Sequence, residues 1–432
     1  MNANTRNQFP ALNRLRQGKP VIYFDGAGGS QAPQTVINAY ADYLTQGNAN
    51  LGSPSATSRL TEQLVVEARQ AACDFLGCQL AQSVVFGANA TSLIFHFSYS
   101  IAKQWQAGDE IIVTALDHYA NVSPWLNAAL ACGVTVHTIP IDRETWQLDY
   151  SVLANKLNAN TRLIAIPYVS NVTGTVVDVQ HIVQMARAFA HIQVFVDAVA
   201  AAPHVKINFQ YLDCDFLVTS GYKHFAGHLG VLVAKPKWLQ LLLPNKVAPA
   251  SEQSPNCWEM GTQNFEAMAA YIACINYLQS LIEDEPVTID LASSSDFYSG
   301  GHDIGSQDML PADRKQKLEN AFTHIQNHEN ELSRYFMQQL AELRGANLLG
   351  QKTTEQRVPI FSLVLANNDH AKVCCALAQA NIYCAYGHFY AQGIVEQLAL
   401  ANESGVLRFS LLHYNTRDEI DVLFNELDMI LN

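Results

Sequence analysis

Asp215-Phe216-Leu217-Val218-Thr219-Ser220-Gly221-Tyr222-Lys223-His224 reads as an apolar strand that runs straight into a small polar turn, with a lysine standing at the turn. Upstream, Val194-Phe195-Val196-Asp197 is a second apolar run, and it ends in a carboxylate. Runs this continuous in Val, Leu and Phe fit strands covered on both faces. Working outward, similar short runs occur at 83–87, 110–115, 134–140, 162–168, 193–197, 216–220 and 229–234, separated by helix-length amphipathic stretches such as 60–76, 93–105 and 179–190. This alternation predicts an α/β fold with a large, mostly parallel sheet and helices on both sides. Ligands of such sheets bind at the carboxyl ends of the strands, where Asp197, Lys223 and His118 all lie.

Composition sets outer bounds. The chain has 432 residues, 49% hydrophobic and 15% charged, which suits a large packed core in two or three domains. A net charge of −13 disfavours a nucleic-acid or anionic-membrane surface. No stretch approaches the ~18–20 apolar residues of a membrane span. Residues 1–19 carry Arg6, Arg14, Arg16 and Lys19 but no apolar run, so no signal peptide is read there and a cytoplasmic location is expected. The nine cysteines are scattered without a CxxC pair, which argues against a disulfide framework and against a structural metal site.

The expected domains are an N-terminal arm at 1–20, a large domain at 21–285, a linker or exposed loop at 286–313 rich in Ser, Gly and Asp, and a small α+β domain at 314–432. Within the second half, helices are expected at 264–281, 315–343, 371–380 and 416–431, and strands at 358–365, 382–385 and 406–411.

Several segments can do chemistry, and each has a plainer reading beside it. A lysine and an aspartate at the ends of successive buried strands are the two groups that pyridoxal phosphate (PLP) needs: the lysine bonds the cofactor and the carboxylate keeps its ring nitrogen protonated. They also read as a surface lysine and a helix-capping aspartate. Phe86-Gly87-Ala88-Asn89-Ala90-Thr91-Ser92 leaves a strand and opens a helix, so its free N–H groups could cradle a phosphate, or simply form an N-cap. His118, after a strand in Asp117-His118-Tyr119-Ala120-Asn121, could stack on a ring or move protons, or be an ordinary loop histidine. Asn171 in Val169-Ser170-Asn171-Val172-Thr173-Gly174 could donate to a phenolate oxygen or sit in a plain turn.

Together these pieces resemble the class V aminotransferase family of fold-type I PLP enzymes, and more narrowly its cysteine desulfurase/selenocysteine lyase group. The similarity runs from Tyr23-Phe24-Asp25-Gly26-Ala27-Gly28 to Leu407-Arg408-Phe409-Ser410-Leu411-Leu412-His413. It implies the aspartate aminotransferase-like fold, with a seven-stranded sheet in the large domain. It also implies roles: Lys223 bonds PLP and shuttles the α-proton, Asp197 pairs with the ring nitrogen, and His118 covers the ring. Asn171 contacts the ring oxygen or substrate, and Ala90, Thr91 and Ser220, with Tyr222 beside them, complete the cofactor set. Arg408 clamps the substrate carboxylate, with Gly28 and Tyr390 on the substrate side. Thr262, in Glu259-Met260-Gly261-Thr262, matches a segment that reaches the neighbouring subunit's phosphate, which implies a homodimer.

Three departures shape the functional expectation. In the resembled group the sulfur-accepting cysteine lies two residues after a Gly-His pair; here Gly387-His388-Phe389-Tyr390 places a phenol there, and a phenol cannot form a persulfide. Ala385 stands where the group has an arginine, and Ala200 where it has a glutamine. Cys384 is the nearest thiol in sequence, on an expected strand. The leading expectation is a PLP enzyme that abstracts Cα–H from an amino acid and eliminates a β-substituent, C–S lyase-like, without a persulfide cysteine. A class V aminotransferase or epimerase is the alternative, and a non-catalytic partner protein a further one.

Overall fold

The computed structural model describes residues 3–282, 311–366, 368–400 and 405–431. The expected linker at 286–313 falls outside them up to residue 310, and its last residues already belong to a helix that starts at Pro311.

The seven anticipated strands form one sheet: β1 (Val84–Gly87), β2 (Glu110–Thr114), β3 (Thr135–Ile139), β4 (Thr161–Pro167), β5 (Gln193–Asp197), β6 (Phe216–Ser220) and β7 (Gly230–Ala234). Their order is β1-β7-β6-β5-β4-β2-β3. All pairs are parallel except those of β7, which runs antiparallel to both β1 and β6. Strand alternation explains why both faces need cover. Val194 and Val196 of β5, Leu217 of β6, and Val231 and Val233 of β7 join one apolar core. Phe195, Phe216, Val218, Leu232 and Ala234 join another on the opposite face.

Helices supply those covers. Helices α1 (Gln34–Gln46), α2 (Ala56–Leu76) and α4 (Phe265–Ser280) pack together on one side, and α3 (Ala90–Ala102) lies on the other. Helix α2 ends where Gly77, at φ 69°, turns the chain back. The Cys78 N–H then bonds the Cys73 carbonyl, and the two Cα atoms lie 4.9 Å apart. This local turn joins Cys73 to Cys78 in a disulfide, a correction to the sequence reading, in which spacing gave no sign of a bridge.

A second, four-stranded sheet follows: β8 (Ala346–Leu349), β9 (Ile360–Leu365), β10 (Ala385–Gly387) and β11 (Val406–Ser410), in the order β8-β9-β11-β10 and antiparallel throughout. Helices α5 (Pro311–Glu342), α6 (His370–Gln379) and α7 (Arg417–Leu431) accompany it. The single strand expected at 382–385 is split at Cys384: Ile382–Tyr383 pairs instead with Ile22–Tyr23. The N-terminal arm is anchored by Phe9, fully buried against Phe225, Tyr277 and Tyr414. Among the described residues no helix is long and apolar enough to cross a membrane.

One buried ion pair ties the sheet edge to the segment carrying Thr262. Arg69 of α2 binds both carboxylate oxygens of Glu259, at 2.8 and 2.6 Å, and the Val84 carbonyl at 2.8 Å, while Glu259 also accepts the Phe86 N–H. Removing one partner strands a buried charge. Glu259→Ala is expected to lower the unfolding free energy by about 3–5 kcal/mol, measured by urea denaturation; a loss below about 1 kcal/mol would show the pair to be incidental.

Candidate active site

A cavity of about 530 Å³ opens at the carboxyl ends of β4, β5 and β6. It gathers Ala90, Thr91, His118, Asn171, Asp197, Ser220, Tyr222 and Lys223, residues from five separate stretches of sequence. A larger, shallower cleft of about 1150 Å³ between residues 142–151 and 348–356 holds none of them.

Each position follows from its element. Asp197 closes β5; its Oδ1 accepts the Val199 N–H at 2.9 Å. Burial, opposed by that bond and by the Lys223 charge, raises its carboxyl to about 6. Lys223 stands at the end of the short turn after β6, and its Nζ donates to the Ala27 carbonyl and, at 3.0 Å, to the Gly28 carbonyl. Burial, helped by the Arg408 charge, lowers its ammonium to about 8.

His118 leaves the end of β2 in a loop locked from beneath. Thr114 Oγ1 donates to Asp117 at 2.6 Å, Asn121 Nδ2 donates to the other Asp117 oxygen, and Trp125 Nε1 donates to Asn121. The Ala120 N–H bonds His118 Nδ1, which places the proton of the neutral ring on Nε2. Burial first, then the Lys223 and Arg408 charges, lower its imidazolium to about 4, so the ring is uncharged at neutral pH.

At the start of α3, Asn89 and Ser92 form a reciprocal cap, so the plainer reading of this segment holds for those two residues. The N–H groups of Ala90 and Thr91, the first two of the helix, remain aimed out of its N-terminus.

Arg408, Gly28 and Tyr390 lie around this cavity. Arg408 sits behind it on β11, 2% exposed, with Nη1 on the Asn171 carbonyl at 3.0 Å and Nη2 on Asp25 at 2.9 Å. Gly28 has no room for a side chain, because a Cβ there would lie 2.2 Å from Asp25 Oδ2. Tyr390 reaches the rim, its ring 5.4 Å from that of His118. Thr262 is exposed and is not brought to the cavity of its own chain. Two participants were not anticipated: Asp25 on Arg408, and His228, stacked on Tyr222 at 4.9 Å; Phe389, read from the sequence as shaping the substrate pocket, lies over Arg408. Asp25 was visible only as part of a quoted stretch, and nothing in the sequence singled out His228.

A family model for the class-V aminotransferases matches residues 22–287 and 316–423, most of the chain. The chain belongs to the class-V aminotransferase family. A cysteine desulfurase of Yersinia pestis (strain Pestoides F) is 30% identical over 430 residues, 98% of this chain and 97% of that protein. A probable cysteine desulfurase of Mycobacterium leprae (strain TN) is 28% identical over 97% of this chain, which spans 64% of that protein's length. Among solved structures, a cysteine desulfurase from Thermococcus onnurineus NA1 superposes with a TM-score of 0.83 at 20% identity, covering 99% of this chain and 97% of the other.

Pyridoxal 5'-phosphate is the cofactor of this family. The cavity's unspent groups fit it. Ser220 Oγ and Asn171 Oδ1, both of residues that line the cavity, are buried without a hydrogen-bond partner. Ser220 Oγ together with the Ala90 and Thr91 N–H groups suits a phosphate, Asp197 a protonated ring nitrogen, and Lys223 an aldehyde carbon.

The Asp197 geometry has a thermodynamic consequence. A value of about 6, above the ordinary 3.8, means that the folded protein holds this proton more tightly than the unfolded chain. Stability from this group is present below about pH 4 and is lost as pH rises through about 6. At pH 7 the buried charge costs the cofactor-free fold on the order of 2–3 kcal/mol. Asp197→Asn is therefore expected to stabilise the cofactor-free protein at pH 7, flatten its pH dependence between 4 and 7, and weaken PLP binding. Urea denaturation across that range checks it; a variant no more stable than the parent at pH 7 would contradict it.

Proposed function

We propose that this chain is a PLP-dependent lyase of amino acids that cleaves a Cβ–S bond, or a related Cβ–X bond, without a protein persulfide. The observation that carries the reading is the side chain presented beside His118 by the 387–391 turn: it is the phenol of Tyr390, not a thiol. Cys384 does not replace it. Its Sγ is turned to Cys374 at 3.7 Å, and that sulfur, together with burial, pushes the Cys384 thiol well above its ordinary range. The relatives named cysteine desulfurases support the same substrate class.

Bound PLP supplies the electron sink that acidifies Cα–H and weakens the bond at Cβ. The chain's own groups do the rest. Lys223 would hold the cofactor and would take and return a proton at Cα. Asp197 keeps a proton on the ring nitrogen. His118, uncharged, would cover the ring without competing for that proton. Asn171 and Tyr222 would contact the cofactor, and Arg408 would bind the α-carboxylate. Elimination from an S-substituted cysteine breaks Cα–H and Cβ–S, consumes one water, and yields a thiol, pyruvate and ammonium. Ala385 offers no second cation for a dicarboxylate, which favours a neutral side chain over the substrates of a typical transaminase. Thr262, exposed on its own chain, is the group that would serve a second subunit in a homodimer.

Incubation with L-cysteine, S-alkyl cysteines and cysteine sulfoxides is expected to release pyruvate and a sulfur product in equal amounts. Lys223→Ala should lose about 10²–10⁴-fold in rate and the bound cofactor's absorbance band. Cys384→Ser should stay within about twofold of the parent rate. A keto acid formed with transfer of the amino group to the cofactor would identify a transaminase instead, and loss of turnover in Cys384→Ser would restore a thiol mechanism.

A further inference from the structure

Arg408 is held by a closed circuit of three residues. Its Nη1 donates to the Asn171 carbonyl at 3.0 Å, the Asn171 side-chain amide donates to the Phe389 carbonyl at 2.9 Å, and the Phe389 ring returns to the guanidinium, whose carbon lies 3.7 Å from the ring centroid. Asp25 takes Nη2 at 2.9 Å, while Nε is buried and has no partner. This is a cation held on two sides and covered on one face, with a donor unspent.

The backbone of the covering turn is unusual. Phe389 and Tyr390 are successive residues at φ 52° and 56°, after Gly387 at φ 131°. Side chains other than Gly and Asn seldom occupy this region, and two in sequence persist only where surrounding bonds hold them. Here the Tyr119 N–H holds the Tyr390 carbonyl at 2.6 Å, and Asn171 holds that of Phe389. The effect of the strained pair is to bring the Phe389 ring over Arg408.

We propose that Phe389 is a positioning residue for the substrate-carboxylate site: its ring fixes and desolvates the Arg408 guanidinium so that the unspent edge can receive an α-carboxylate. This rests on the reading of Arg408 given above and deepens it. An arginine stacked on an aromatic ring loses little freedom on binding, and exclusion of water strengthens its attraction for an anion. Phe389 touches no reacting atom, so its removal should act on carboxylate affinity and leave the bond-breaking steps alone.

The test uses the PLP-loaded enzyme and propionate, a carboxylate with neither an amino group nor a leaving group. Calorimetry reads its dissociation constant whether or not the enzyme is a lyase. Phe389→Ala and Phe389→Leu are expected to weaken propionate about tenfold and to raise KM for the amino-acid substrate by a similar factor, with kcat within about twofold; Phe389→Tyr, which keeps the ring, should restore parent affinity. Parent-like propionate binding in both Phe389→Ala and Phe389→Leu, tighter binding in Phe389→Ala, or an equal loss in Phe389→Tyr would each overturn the proposal. Arg408→Lys separates the two claims. If it weakens propionate while Phe389→Ala does not, only the role of Phe389 falls; if it leaves propionate binding unchanged, the reading of Arg408 falls and this inference with it.

Discussion

A sheet covered on both faces has nowhere to put a polar group except at the ends of its strands, and the chemistry of this chain is laid out under that constraint. Every residue of β5 and β6 is buried, so Asp197 and Ser220 are the first positions on those strands where a polar side chain can face a cavity. The same burial that makes the core makes the site electrostatically expensive. It raises Asp197 to about 6, lowers Lys223 to about 8 and lowers His118 to about 4. Each shift moves a group toward its uncharged form, and each is moderated or sharpened by charges of the same cluster. A bound anionic cofactor with a protonated ring nitrogen would restore the charge balance that burial disturbs.

The opposition between stability and ligand binding is thus local. Ser220 Oγ and Asn171 Oδ1, buried without partners, and the Asp197 carboxylate each weaken the cofactor-free fold. The chain tolerates them because they sit at the rim of an extensive apolar core rather than within it, as at other sites where a protein breaks its own packing rules for function.

The strands of the large sheet were legible because apolar runs with polar ends carry both their length and their burial in the sequence. Lys223 and Asp197 were legible for the same reason, as the polar ends of those runs. What was not legible depends on contacts distant in sequence. Nothing local reveals that Arg408 meets Asp25, or that β7 enters antiparallel between β1 and β6, because pairing partners are set by the whole sheet. The Cys73–Cys78 bridge depended on a left-handed glycine bringing two nearby residues face to face, which a count of cysteines cannot express. The strand expected through Cys384 broke because Ile382–Tyr383 found a partner in Ile22–Tyr23, leaving β10 to pair with β11.

The segment from Ala385 to Tyr390 shows why residue-by-residue comparison understates a site. Read singly against the resembled group, Ala385 and Tyr390 are expected losses, an arginine and a thiol for which they would be no substitute. Read in the structure, they belong to one segment, strand β10 and the turn that follows it. Ala385 pairs with Arg408 across the sheet and adds no second cation beside it. The turn that follows holds two aromatic residues in left-handed backbone, Phe389 on Arg408 and Tyr390 beside His118. A thiol that must swing between substrate and acceptor could not be pinned by the Tyr119 and Asn171 bonds that fix this turn. A fixed turn instead suits chemistry whose products leave by diffusion, and for that reason the aromatic pair and the absence of a thiol at position 390 point to the same proposed reaction.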